Sequence, residues 1–231
     1  MLKSIVEGSF VLAAIFSMAV ATAAAAAAES PNATELIFDH QHLSNTKAGD
    51  EIVYKFERKV SDEKLAGAGF NDEIKLKIDE VDKDGKKNIA LQIFSGDRGR
   101  ETQKITELTI NPVFVVGMQQ AIASFRLLAG GDLSYLKHRF GLNVRDKSKV
   151  IAVKFDYKGQ VIDGFKIDVS PFEGDPNMAK MKGYEVSEFT FIVSPSVPGE
   201  IVEFFSITKS SAKDSVSLQE RTTLAGFGGL K

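Results

Sequence analysis

The stretch Asn111–Gly131, NPVFVVGMQQAIASFRLLAGG, decides how the rest of the chain must be arranged. Asn111 is an N-cap residue, Pro112 fits the first helical position where its missing N–H costs nothing, and Gly130-Gly131 supplies the left-handed residue that ends a helix. Phe114, Met118, Ala121, Ile122, Phe125 and Leu128 recur at helical spacing, with Gln119, Gln120, Ser124 and Arg126 gathered largely on another side. Val113, Val115, Val116 and Leu127 carry apolar surface further around the helix, so it needs covering on several sides. Almost everything before and after it alternates like β-strand. The pattern predicts a mainly β (α+β) fold: a strongly curved antiparallel sheet or incomplete β-barrel of about nine strands around one central helix, with a short second helix. An ordinary β-sandwich would leave part of that helix uncovered.

The first residues belong to a different kind of segment. Lys3 precedes an apolar run, Phe10 to Ala21, which ends in the small-residue tract Ala23–Ala28. This is the layout of a secretory signal peptide with an Ala-x-Ala cleavage site, so residues 1–28 are expected to be removed, and residues 29–231 to form a single β-rich periplasmic or secreted domain with no stable membrane span after cleavage. No cysteine occurs in the 231 residues, which excludes a lipobox, a disulfide framework and a thiolate metal site. Stability must come from the core. The 29 basic and 31 acidic residues nearly cancel, so no basic surface is forced and nucleic acid is not expected as a partner.

Strand signals are clear over Glu51–Val60, Phe70–Glu80, Lys86–Phe94, Glu101–Ile110, Lys149–Tyr157, Gln160–Phe172, Tyr184–Val193, Glu200–Thr208 and Ser215–Leu224. Asp84-Gly85 and Lys158-Gly159 mark hairpin turns. A change of phase in Tyr184–Val193 predicts a bulge near Ser187-Glu188. Asp132 can cap the second helix, carrying Leu133, Leu136 and Phe140 and stopping at Gly141. The segment Glu35–Leu43 is expected to lead into the first strand, and the tail Ala225–Leu230 to be loose.

Few residues point to chemistry. In Asp39-His40-Gln41-His42, the two histidines would share one face of a strand, the geometry of a metal clamp, but a catalytic zinc site needs three protein ligands at a recognised spacing and none is present. Asp97-Arg98-Gly99-Arg100 reads as a solvated turn. Gly67-Ala68-Gly69 lacks the Gly-Lys-Ser/Thr ending of a phosphate loop, and there is no Gly-x-Ser-x-Gly. The reading is therefore a non-catalytic protein with no metal and no cofactor.

This layout resembles the fold plan of periplasmic lipoprotein carriers, a curved half-barrel closed by helices over an acyl-chain cavity. The resemblance lies in architecture, and no motif of that family is matched residue by residue. It implies a lipid or other apolar small molecule held between the curved sheet and the central helix. On this reading Phe114, Met118, Ile122 and Phe125 line the ligand space. The alternative is a cell-envelope structural or interaction protein that meets another envelope protein by strand addition. A cavity larger than its side chains fill favours the first reading, and a filled core with a long uncovered edge favours the second.

Overall fold

The computed structural model describes residues 31–211 and 215–231. The predicted signal peptide, residues 1–28, lies outside the described residues. Ten strands form one antiparallel sheet that does not close: β1 (Glu51–Val60), β2 (Phe70–Val81), β3 (Lys87–Ile93), β4 (Gln103–Leu108), β5 (Lys149–Tyr157), β6 (Gln160–Val169), β7 (Ser187–Val193), β8 (Ile201–Ser210), β9 (Ser215–Leu224) and β10 (Phe227–Leu230). Among the described residues three α-helices accompany them: α1 (Glu63–Ala66), α2 (Pro112–Ala129) and α3 (Leu133–Lys147). The mainly β fold with a curved antiparallel sheet and central helix is as the sequence predicts, with one strand more.

The strand order is β10-β5-β6-β7-β8-β9-β1-β2-β3-β4. Its curvature follows from one short connection. β9 ends at Leu224 and β10 begins at Phe227, yet β10 pairs with β5, four strands beyond β9. In a flat sheet that displacement would be about 24 Å at the usual strand spacing. Three Cα steps reach roughly 11 Å at most, so β5–β9 must curl until the two ends meet. Contacts at the seam agree: Lys158 N–H donates to Gly226 O at 2.8 Å, and Ala225 N–H to Val53 O at 2.9 Å. The strands β1–β4 continue from β9 as a wing.

Alternation buries one face of β1, β2 and β3. Ile52, Tyr54 and Phe56 of β1, Ile74, Leu76 and Ile78 of β2, and Ile89, Leu91 and Ile93 of β3 are buried, while Glu73, Lys75 and Lys77 face water. α2 rests on β8 and β9 and touches α1 and α3. Its start is fixed from several sides. Asn111 Oδ1 accepts from Val113 N–H at 3.1 Å, and its Nδ2 donates to Tyr54 Oη and Gly199 O at 2.8 and 2.9 Å. Although α2 is long and apolar enough by composition to cross a membrane, it is a packed core helix.

Several local expectations change. Residues 35–39 form a π-helical turn rather than a strand approach, closed by His40 N–H donating to Glu35 O at 2.9 Å. α3 runs past Gly141 to Lys147, because burying Val144 and bonding Asn143 Nδ2 to Pro171 O at 2.9 Å outweigh the cost of one helical glycine. Tyr184–Val186 precede β7 instead of bulging within it. The irregular pairing between β7 and β8 falls at Ile192/Val193. The tail is a strand, not a loose end, with Phe227 packed 5.8 Å from Phe155.

Candidate functional site

The two flanks of α2 meet different surroundings. Phe114, Ile122 and Phe125 are at most 2% exposed. Phe114 lies 4.9 Å from Phe191, centroid to centroid, and Phe125 stacks on Phe172 at 4.2 Å. Met118 is half-buried against the same cluster. These four residues, named from the sequence as ligand wall, are brought together as packed aromatic and aliphatic core. The space between sheet and helix opens on the opposite flank, about half a helical turn round.

That space begins where α2 presses closest to the sheet. A Cβ on Gly117 would stand 2.7 Å from Phe204 Cδ1, so only glycine allows this approach. Phe204 pairs across the sheet with Thr222, and Thr222 with Phe56, all facing the helix. Beside this contact a cavity of about 330 Å³ lies between Val116, Gly117 and Ala123 of α2 and the inner face of the wing, where Ile74, Ile93 and Phe94 form the floor. Phe56, Phe70 and Phe94 make a three-ring cluster with centroids 4.9–5.3 Å apart. Phe94 holds this position at φ 62°, a left-handed backbone unusual for a bulky residue. The cavity mouth carries Arg100, Gln103, Gln119 and Lys137.

A wider recess of about 760 Å³ shares Gln120 and Ala123 with the first and extends past Phe70 and Leu127 to Gly130-Gly131. Arg58 lies on its wall, and beneath α2 Arg58 meets the carboxylate of Glu220. Both side chains are at most 5% exposed. Arg58 also donates to Ser124 Oγ at 2.7 Å and to Ala66 O at 2.6 Å, and Ser124 Oγ donates to Glu220 Oε1 at 2.9 Å. Burial pushes the Glu220 carboxyl above the ordinary carboxylate range, outweighing the opposing pull of Arg58, Ser124 and Gln120. Its Oε2 has no hydrogen-bond partner among the described residues. A polar, charged anchor thus sits under the side of α2 that carries Gly117, Gln120 and Ser124.

The histidines are placed differently from a clamp. His42 is buried, donates from Nε2 to Leu36 O at 2.8 Å and accepts at Nδ1 from Asn111 N–H at 3.4 Å, which uses both ring nitrogens. Burial lowers its pKa, against the raising effect of the Leu36 bond. His40 Nδ1 instead meets Glu200 Oε2 at 2.8 Å. Among the described residues no group of three or more His, Cys, Asp or Glu is arranged to hold a metal ion.

The groove has two sequence signals that the apolar periodicity obscures. Gly117, Gln120 and Ser124 form a small and polar row within an apolar helix. Arg58 shares the inward parity of Ile52, Tyr54 and Phe56, a position that demands a buried partner.

No family model matches this chain, and no curated protein matches it. Four chains of solved structures do match. One is the crystal structure of the Mycobacterium tuberculosis lipoprotein LppX, with 14% identity over 81% of this chain and 91% of that one, and a TM-score of 0.30. At that score the likeness transfers neither a site nor an activity.

Proposed function

We propose that this protein is an exported, non-catalytic binding or carrier protein that holds a lipid or other apolar small molecule in the groove between α2 and the inner face of β1–β3. The observation that carries the reading is the cavity of about 330 Å³ with a buried aromatic and aliphatic floor and a polar mouth. Its volume falls in the range of about 300–1,000 Å³ typical of small-molecule sites, and an apolar floor lies beneath polar side chains at the mouth. Each methylene withdrawn from water into such a groove contributes about 0.8 kcal/mol. Export is supported by the signal-peptide pattern of residues 1–28, and it would put the protein in the periplasm or outside the cell.

The competing reading, docking of an envelope protein by strand addition, would use the outer edge of β4, which is six residues long and largely exposed. An unfilled groove in the body favours the carrier.

Native mass spectrometry with lipid extraction tests this on protein purified from the cells that make it. A stoichiometric apolar adduct is expected. A clean apo mass, together with no uptake of long-chain alcohols added at micromolar concentration, would overturn the carrier reading and favour the β4 edge.

A further inference from the structure

Resting on that groove as the binding site, the geometry points to a single-chain amphiphile with an anionic head: the head meets Arg100 and Lys137 at the mouth, and the tail runs under Val116 and Gly117 against Phe56, Ile74 and Phe94. Three observations carry this assignment. The residues lining the cavity include two full positive charges and no aspartate or glutamate. The cavity lining thus differs from the outer strand faces at Lys59 with Glu57, Lys75 with Glu73 and Lys77 with Asp79, where each cation stands beside a carboxylate. Neither Arg100 nor Lys137 enters an ion pair among the described residues, so both are available to a ligand.

The two cations also come from independent, well-anchored elements. Arg100 is held by its own backbone, with its N–H donating to Ile93 O at 3.0 Å at the end of β3. Lys137 projects from α3, whose N-terminus is capped by Asp132 accepting from Tyr135 N–H at 2.9 Å. The cavity floor beneath them, Phe56, Ile74, Ile93 and Phe94, is apolar and buried. A neutral amphiphile would gain only the throat, whereas an anionic one adds charge-assisted contacts at the mouth. Gln103 and Gln119 stand at the same mouth and can donate to further head oxygens.

Isothermal titration of the delipidated protein with dodecanoate and with dodecanol, which share a chain length and differ in charge, tests the assignment. Wild type is expected to bind dodecanoate about tenfold more tightly than dodecanol, as one good charge-assisted contact implies. In the double variant R100Q/K137Q the preference should fall to within about twofold, chiefly through lost dodecanoate affinity, while the fold is kept because both side chains are exposed and outside the core. Equal affinities in wild type, or a preference retained in the double variant, would overturn the anionic head while leaving the groove as the site. Failure of both ligands to bind would remove the groove itself, and the head assignment with it.

Discussion

Arg58 and Glu220 face inward on adjacent strands, β1 and β9, directly opposite one another in the register. Inward charges survive only when paired and hydrogen-bonded, and here Ser124, Gln120 and Ala66 O add bonds around the pair, although Glu220 Oε2 stays without a partner among the described residues. Removing the cation leaves a buried carboxylate without its counter-ion. Arg58→Met should therefore cost about 3–5 kcal/mol at neutral pH. The pH dependence has a definite sign. Because the folded-state pKa of Glu220 is raised, its contribution to stability is fully present below the ordinary glutamate pKa and is lost as pH rises through the folded value. Without Arg58 the folded value rises further, so the penalty should shrink as the carboxyl takes up a proton in acid. Urea unfolding of wild type and variant at pH 4 and pH 7 checks this, and a penalty equal at both values would mean that the pair does not act electrostatically. The parity of Arg58 made this pair legible in principle. The histidines were not, because a strand reading of Asp39–His42 misses a π-helical turn whose hydrogen bonds leave no trace in residue alternation.

At the scale of elements, alternation served well wherever one face is buried and the other wet. β1 occupies the span that its sequence pattern marks, since Lys and Glu alternate there with Ile, Tyr and Phe. Elements without that contrast were misjudged. Phe227-Gly228-Gly229-Leu230 has too little side chain to show a period, and it is a strand because β5 offers a partner edge. Gly141 looked like a stop, whereas tertiary packing of Val144 carries α3 onward. Two helical glycines consequently behave in opposite ways. A Cβ at Gly141 meets nothing within 4 Å, so Gly141→Ala should stabilise the protein by about 0.5–1 kcal/mol through helix propensity alone. At Gly117 the same methyl would collide with the buried Phe204 ring at 2.7 Å, and Gly117→Ala should cost about 1–3 kcal/mol by overpacking. Thermal and urea unfolding of the two variants, measured side by side, decide the matter. A neutral Gly117→Ala would show that α2 is not pressed against β8, and would undercut the origin of the groove beside that contact.

Over the whole molecule, the curl of β5–β9 and the wing of β1–β4 present α2 with two unlike surroundings. The curled part is filled: Phe172, Phe189 and Phe191 leave no room beside Phe125 and Phe114. Between the wing and the helix a cavity of about 330 Å³ remains. Apolar periodicity identified α2 as central but could not tell which flank would be filled, because that depends on where the sheet turns and where Gly117 lets the helix sink. The division yields a paired prediction. Met118→Trp adds volume on the filled side and should destabilise by about 1–3 kcal/mol while leaving ligand affinity in the surviving folded fraction nearly unchanged. Ala123→Trp adds it at an exposed position shared by both recesses. Stability should stay within about 0.5 kcal/mol, as for surface substitutions generally, while dodecanoate binding falls at least tenfold because the indole occupies the throat entrance. Unfolding curves and titrations on both variants give four numbers with an expected crossed pattern. If Met118→Trp is the one that abolishes binding at little cost in stability, the ligand lies on the Phe114–Phe125 flank after all. The core there would then have to open to admit it.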